Sequence, residues 1–122
     1  MPAAVAVGEA LENRLPPAEY AALTDLVAWL RERYGDDFLE ARLFGSMARG
    51  DYDEESDMDI FILLRPSLDW QRQEPIRQKV RELSINLGRF IMPLVYGLEM
   101  WEEEATQFRR LARDIQREGL VL

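Results

Sequence analysis

The segment Gly45-Ser46-Met47-Ala48-Arg49-Gly50-Asp51-Tyr52-Asp53-Glu54-Glu55-Ser56-Asp57-Met58-Asp59-Ile60 constrains this chain more than any other. It ends in two aspartates one residue apart and runs straight into the apolar stretch Ile60-Phe61-Ile62-Leu63-Leu64. Alternate side chains of a strand share a face, so Asp57 and Asp59 project together, on the face that also carries Phe61 and Leu63. Aspartate is disfavoured in strands. Two like charges placed beside apolar neighbours repel each other and lose hydration unless a cation compensates them. The pair therefore points to metal coordination. The alternative is two solvated acids at a strand entrance. Upstream, Gly45-Ser46 opens a short helical start whose free N–H groups and hydroxyl suit phosphate oxygens. Gly-Ser alone also fits a plain turn with Ser46 as the helix cap. Gly-Ser followed by Asp-x-Asp, with Gly50 and Ser56 between, is the more specific pattern, and it indicates metal-dependent nucleotide chemistry.

Composition narrows the choice of metal and partner. The 122 residues contain no cysteine and no histidine, which excludes disulfides, thiolate zinc sites, a cysteine nucleophile and a histidine base. The remaining ligands are oxygen donors, suited to magnesium or manganese. The formal net charge of -8 disfavours binding to DNA or RNA, but it leaves room for a metal-neutralised nucleotide and for a basic protein partner. No apolar run reaches the length of a membrane span, and Met1-Pro2-Ala3-Ala4-Val5-Ala6-Val7-Gly8-Glu9 lacks the basic start of a signal peptide. The expected location is cytoplasmic, with no membrane contact.

Residues 1–17 are rich in Ala and Pro and read as an arm with little structure of its own; residues 18–122 read as one domain. Leu23, Leu26, Val27, Leu30 and Tyr34 follow helical spacing, and Gly35 stops that helix. Phe38 to Phe44 is a short strand, and Met58 to Leu64 is a strand covered on both sides. A helix follows from near Asp69 to Leu87, with Pro75 in or near its first turn or else kinking it, and with Gly88 as its cap. Phe90 to Tyr96 is a third strand; Pro93 cannot donate to a ladder, which places this strand at an edge. Trp101, Ala105, Phe108, Leu111, Ala112 and Ile115 keep helical spacing, with Thr106 available to cap a break. Gly119 ends that segment before the apolar tail Leu120-Val121-Leu122. The expected fold is α/β (α+β): a small mixed sheet of about three strands flanked by about four helices.

Other candidates have plainer readings. Arg49 suits nucleotide phosphates, but equally an exposed ion pair with Asp51 or Asp53. Asp51, Asp53, Glu54 and Glu55 read as a solvated loop, and Ser56 as a residue hydrogen-bonded within it. Trp29, Trp70 and Trp101 read as packing residues, Trp70 with a lesser claim on a base pocket. Glu102, Glu103 and Glu104 suit the exposed face of a helix near its N-terminus.

The string Gly45-Ser46-Met47-Ala48-Arg49-Gly50 … Ser56-Asp57-Met58-Asp59 resembles the signature of the DNA polymerase β nucleotidyltransferase superfamily, and most of all its minimal nucleotidyltransferase domains. Many of these are antitoxins of two-protein modules whose toxin is a HEPN-type ribonuclease. The resemblance implies the nucleotidyltransferase fold. It implies a triphosphate held by Gly45 and Ser46, with Arg49 in support. It also implies two magnesium ions on Asp57 and Asp59 for in-line displacement, so that these two acids are the catalytic pair. ATP would be the substrate, and the acceptor a hydroxyl of the partner toxin. One departure stands out: the superfamily's third carboxylate, on the next strand, aligns with Met92, and only Glu99 or a loop acid remains to substitute for it.

Three functions follow from this reading. The first is nucleotidyl transfer, of AMP from ATP, to a partner protein. The second is neutralisation of a toxin by contact alone, which Met92 favours. The third is transfer to a small molecule, for which the chain has no second domain to build a pocket unless an oligomer supplies one.

Overall fold

The computed structural model describes residues 15–65, 70–107 and 109–122. Residues 1–14 of the expected arm lie outside the described residues, as do Phe108 and the side chains of Trp70, Thr106 and Leu111. The chain forms α1 (Pro17–Tyr34), a 3-10 turn (Gly35–Asp37), β1 (Phe38–Phe44), α2 (Ser46–Arg49), β2 (Met58–Leu64), α3 (Trp70–Leu87), β3 (Ile91–Gly97), α4 (Leu98–Gln107), α5 (Arg109–Glu118) and β4 (Leu120–Val121). Pro17 stands at the first turn of α1, where its missing N–H costs nothing. Pro75 lies inside α3. Gly35 and Gly88 both adopt positive φ beyond their helices, and the Gly88 N–H closes on the Ser84 carbonyl at 2.9 Å.

The four strands form one mixed sheet in the order β3-β2-β1-β4. β1 runs antiparallel to β2 and to β4, whereas β2 and β3 are parallel. The tail read from sequence as an apolar end is thus a two-residue strand on the rim of β1, and the Leu122 N–H donates to the Ala41 carbonyl at 2.9 Å. A pair so short has no periodicity by which to be recognised.

β2 is buried on both faces, as its near-continuous apolar run requires. Met58, Ile60, Ile62 and Leu64 point, with Ala41 and Leu43 of β1, into the main core, which Leu23, Leu26 and Leu30 of α1 and Ile76 and Val80 of α3 complete. Phe61 and Leu63 point the other way, into a smaller core closed by Ile115 of α5 and Trp101 of α4. There Phe61 packs against Trp101 with ring centroids 4.7 Å apart and against Tyr96 at 6.0 Å. Asp59 lies on this second face, two residues before Phe61.

β3 is an edge strand, as Pro93 required. Because Met58 N–H bonds the Phe90 carbonyl at 2.9 Å, odd-numbered residues of β3 turn their backbone groups away from β2. Ile91 N–H accordingly finds the Ser84 hydroxyl of α3 at 3.0 Å, and Pro93 occupies the next outward position. Among the described residues no helix is long and apolar enough to cross a membrane.

Candidate nucleotide site

Three backbone features bring the sequence-predicted residues together. β1 ends at Phe44, directly opposite Asp59 of β2. The chain then reverses at Gly45 with φ 77° and ψ -158°, a conformation open essentially to glycine alone. A Cβ at this position would collide with the Asp59 Oδ2 atom. Gly45 is therefore required twice, by its torsion angles and by the carboxylate lying against it. α2 starts immediately afterwards, with the Ala48 and Arg49 N–H groups donating to the Gly45 carbonyl, both at 3.1 Å. The helix cap is Gly45, not Ser46, which is the first helical residue; the plain reading of Ser46 as a cap is thus not what the chain does.

Asp57 stands one residue outside β2 and is exposed, while Asp59 is half-buried inside it. The register places Asp59 between two apolar neighbours, Phe44 on β1 and Met92 on β3. This explains its electrostatics: burial, and then the Asp57 charge, raise its pKa above the ordinary aspartate value, and Arg49 partly opposes them. Arg49 is itself ion-paired to Asp51, Nε to Oδ2 at 3.3 Å, with both side chains substantially exposed. Met92, where the sequence reading expects the superfamily's third acid, is the direct register partner of Asp59.

The loop from 50 to 57 carries its own hydrogen bonds. The Asp53 N–H donates to the Ser56 hydroxyl at 3.0 Å, and the Asp53 carboxylate accepts from the Glu55 N–H at 2.9 Å and from the Ser56 hydroxyl at 3.2 Å. Asp51, Asp53, Glu54 and Glu55 are exposed, as expected of a solvated loop. The sequence reading passed over Arg89, which reaches this loop from the start of β3, and Glu19, which meets Arg89 from α1. A charged residue right after a helix-ending glycine was the available signal.

Among the described residues no group of three or more His, Cys, Asp or Glu side chains is placed to hold a metal ion. Two carboxylates are a sufficient protein share for magnesium, which commonly completes its shell with substrate phosphates and water. The donor set fits an ion arriving with a triphosphate, and does not fit a resident ion caged by protein alone.

The sequence profile of the nucleotidyltransferase domain family matches residues 25–115. This chain belongs to that family. It is similar to MJ0604 of Methanocaldococcus jannaschii, an inferred protein adenylyltransferase: 31% identical over 104 residues, covering 85% of this chain and 97% of the relative. A second inferred protein adenylyltransferase of that organism, MJ0141, is 41% identical over 54 residues, covering 44% of this chain and 54% of the relative. The alignment thus spans about half the length of MJ0141. Two mutant crystal structures of the toxin–antitoxin MntA–HpeT share the nucleotidyltransferase fold, with TM-scores of 0.54 and 0.55. They are 19% and 17% identical, covering 82% and 80% of this chain and 70% and 69% of theirs. At that identity the likeness is one of fold. In the terms of this nucleotidyltransferase family, Gly45, Ser46, Asp57 and Asp59 lie at one end of the sheet, around the β1–α2 turn.

Proposed function

We propose that this chain binds ATP with magnesium at the Gly45-Ser46 turn and the Asp57–Asp59 pair, and transfers AMP to a hydroxyl of a partner protein: the hydroxyl oxygen bonds to the α-phosphorus and gives up its proton, and pyrophosphate leaves as the α–β bridging bond breaks. The observation that carries this reading is the contact of Asp59 with Gly45, which leaves no room for a side chain between the phosphate-type turn and the acid pair. Gly45 and Ser46 would hold the phosphates, and Asp57 and Asp59 the divalent ion. When bound, the metal supplies charge neutralisation of the phosphates and a more acidic attacking hydroxyl. Arg49 would exchange its exposed pair with Asp51 for a phosphate, at small cost, because such pairs are worth little.

The relatives support a protein acceptor. MJ0604 and MJ0141 are inferred protein adenylyltransferases, and the fold neighbours come from a toxin–antitoxin pair. A HEPN-type toxin is the partner this combination supports, with the present chain as antitoxin. The deciding experiment uses ATP labelled at the α-phosphate, magnesium and the purified partner. Label on the partner that disappears in the Asp57→Ala, Asp59→Ala double variant supports transfer. A double variant that neutralises the partner as well as the parent does would sink it.

A second reading has its own observation. Met92 beside Asp59 leaves the pair without a third carboxylate on the neighbouring strand, which favours a chain that silences its partner by contact alone. The same double variant separates the two readings.

A further inference from the structure

Arg89 makes several polar contacts around the loop that leads to the acid pair. It follows the α3 cap Gly88, and its side chain runs back under the loop that delivers Asp57. Its Nη1 donates to the Asp53 carbonyl at 2.9 Å and to the Ser56 carbonyl at 2.6 Å. Its guanidinium lies over the Tyr52 ring, 5.8 Å from the centroid. Its Nε sits 3.7 Å from Glu19 Oε1 and has no hydrogen-bond partner. The two side chains are only 10% and 11% exposed.

A buried ion pair is a poor device for stability, since desolvation offsets much of its attraction. What this pair does fix is geometry. One guanidinium meets Tyr52, Asp53 and Ser56, and the last of these directly precedes Asp57. The turn bonds within residues 53–56 make the loop a unit, so anchoring two of its carbonyls orients the whole. Glu19, on α1, compensates the guanidinium's charge at Nε without a hydrogen bond to it. The loop therefore rests on an arginine docked between two helices and the sheet.

We propose that Arg89 is a positioning residue: it holds the Ser56 backbone, and through it the Asp57 carboxylate, in place beside Asp59, while Glu19 neutralises its buried charge. The metal-binding part of this proposal rests on the nucleotide reading above. Partners that orient metal ligands from behind typically change affinity by about 10–100-fold when removed.

The test contrasts two conservative variants of the full chain. In Arg89→Lys the ammonium still faces Glu19, but the side chain is one bond too short to reach the loop carbonyls. In Glu19→Gln the carbonyl contacts survive and the ion pair does not. Two readouts are taken: amide hydrogen exchange across residues 51–57 without ligand, and affinity for manganese with a non-hydrolysable ATP analogue. Arg89→Lys should speed exchange in that loop by about tenfold or more, as losing charged hydrogen bonds predicts. It should also weaken manganese–nucleotide binding by about tenfold. Its melting temperature should stay closer to the parent's than that of Glu19→Gln, which should keep its affinity within about twofold. Unchanged loop exchange in Arg89→Lys overturns the proposal. So does a chain that no longer folds, because the guanidinium would then serve the fold as a whole. A parent that binds no manganese–nucleotide, with the loop still loosened in Arg89→Lys, leaves the loop-holding role standing and brings down the nucleotide reading instead.

Discussion

Replacing Gly45 with alanine tests the central contact of the site. Two separate costs are expected. The backbone at φ 77°, ψ -158° is strained for any L-residue by about 1–3 kcal/mol. In addition, the new methyl group would meet Asp59 Oδ2, with Asp59 Cγ at 3.4 Å and Cβ at 3.6 Å. Only the carboxylate atom is too close; the Cβ distance is ordinary contact. In an Asp59→Ala background the collision therefore vanishes while the backbone strain remains. Gly45→Ala should cost more in the parent than in Asp59→Ala, with a coupling of about 0.5–3 kcal/mol, the range for residues in direct contact. Urea unfolding followed by tryptophan fluorescence measures all four corners of the cycle. With slopes of about 1–3 kcal/mol per molar, the single Gly45→Ala change should lower the midpoint by on the order of 1 M. Equal costs in the two backgrounds, or no cost in the parent, would refute the placement of Asp59 against Gly45.

Asp59→Asn should stabilise the chelator-treated protein as pH rises. Because burial and Asp57 raise the folded-state pKa, Asp59 holds more protons folded than unfolded in the window from its ordinary value of 3.8 up to that raised value. Stability is therefore lost as pH climbs through it, and the variant should escape that loss in a pH series of urea midpoints. On the proposed nucleotide reading, magnesium–ATP should raise the parent's melting temperature, since a ligand specific to the native state must stabilise it, and the same variant should lose that increase. Met92→Asp would place a third carboxylate in register with Asp59; it should tighten manganese binding, seen by calorimetry, and cost the metal-free protein about 0.2–1 kcal/mol by like-charge repulsion across the strands. Phe61→Ala should cost about 3–5 kcal/mol in unfolding free energy and flatten the near-ultraviolet circular dichroism, because it empties the middle of the Phe61–Tyr96–Trp101 cluster.

The larger elements were legible because each carries a strong local signal. The stripe Leu23–Leu26–Leu30 and its stop at Gly35 marked α1, and the unbroken apolar run after Asp59 marked a strand buried on both faces. Pro93 announced an edge, and the sheet order agrees. The acid pair was legible for a different reason: charges at the head of an apolar strand conflict with the core behind them, and such conflicts are visible in one dimension. Contacts made by distant residues were not legible. That Asp59 would lie against Gly45 depends on the β1–β2 register, and that Arg89 would reach Asp53 and Ser56 depends on where α3 delivers its end. β4 escaped notice because two residues cannot show an alternation.

The outward side of β3 has a consequence for how this molecule can meet others. An uncovered rim ordinarily invites strand addition, in which a second backbone zips onto the first and a sheet can extend from molecule to molecule. Here Ser84 already occupies the Ile91 N–H, and Pro93 offers none, so two successive rungs of that ladder are missing. On the opposite side of the sheet, β4 pairs with β1 at Arg42 and Leu43. A partner arriving at Ile91 and Pro93 therefore meets side chains and shape in place of a continuous ladder, and this edge of the sheet resists extension from molecule to molecule.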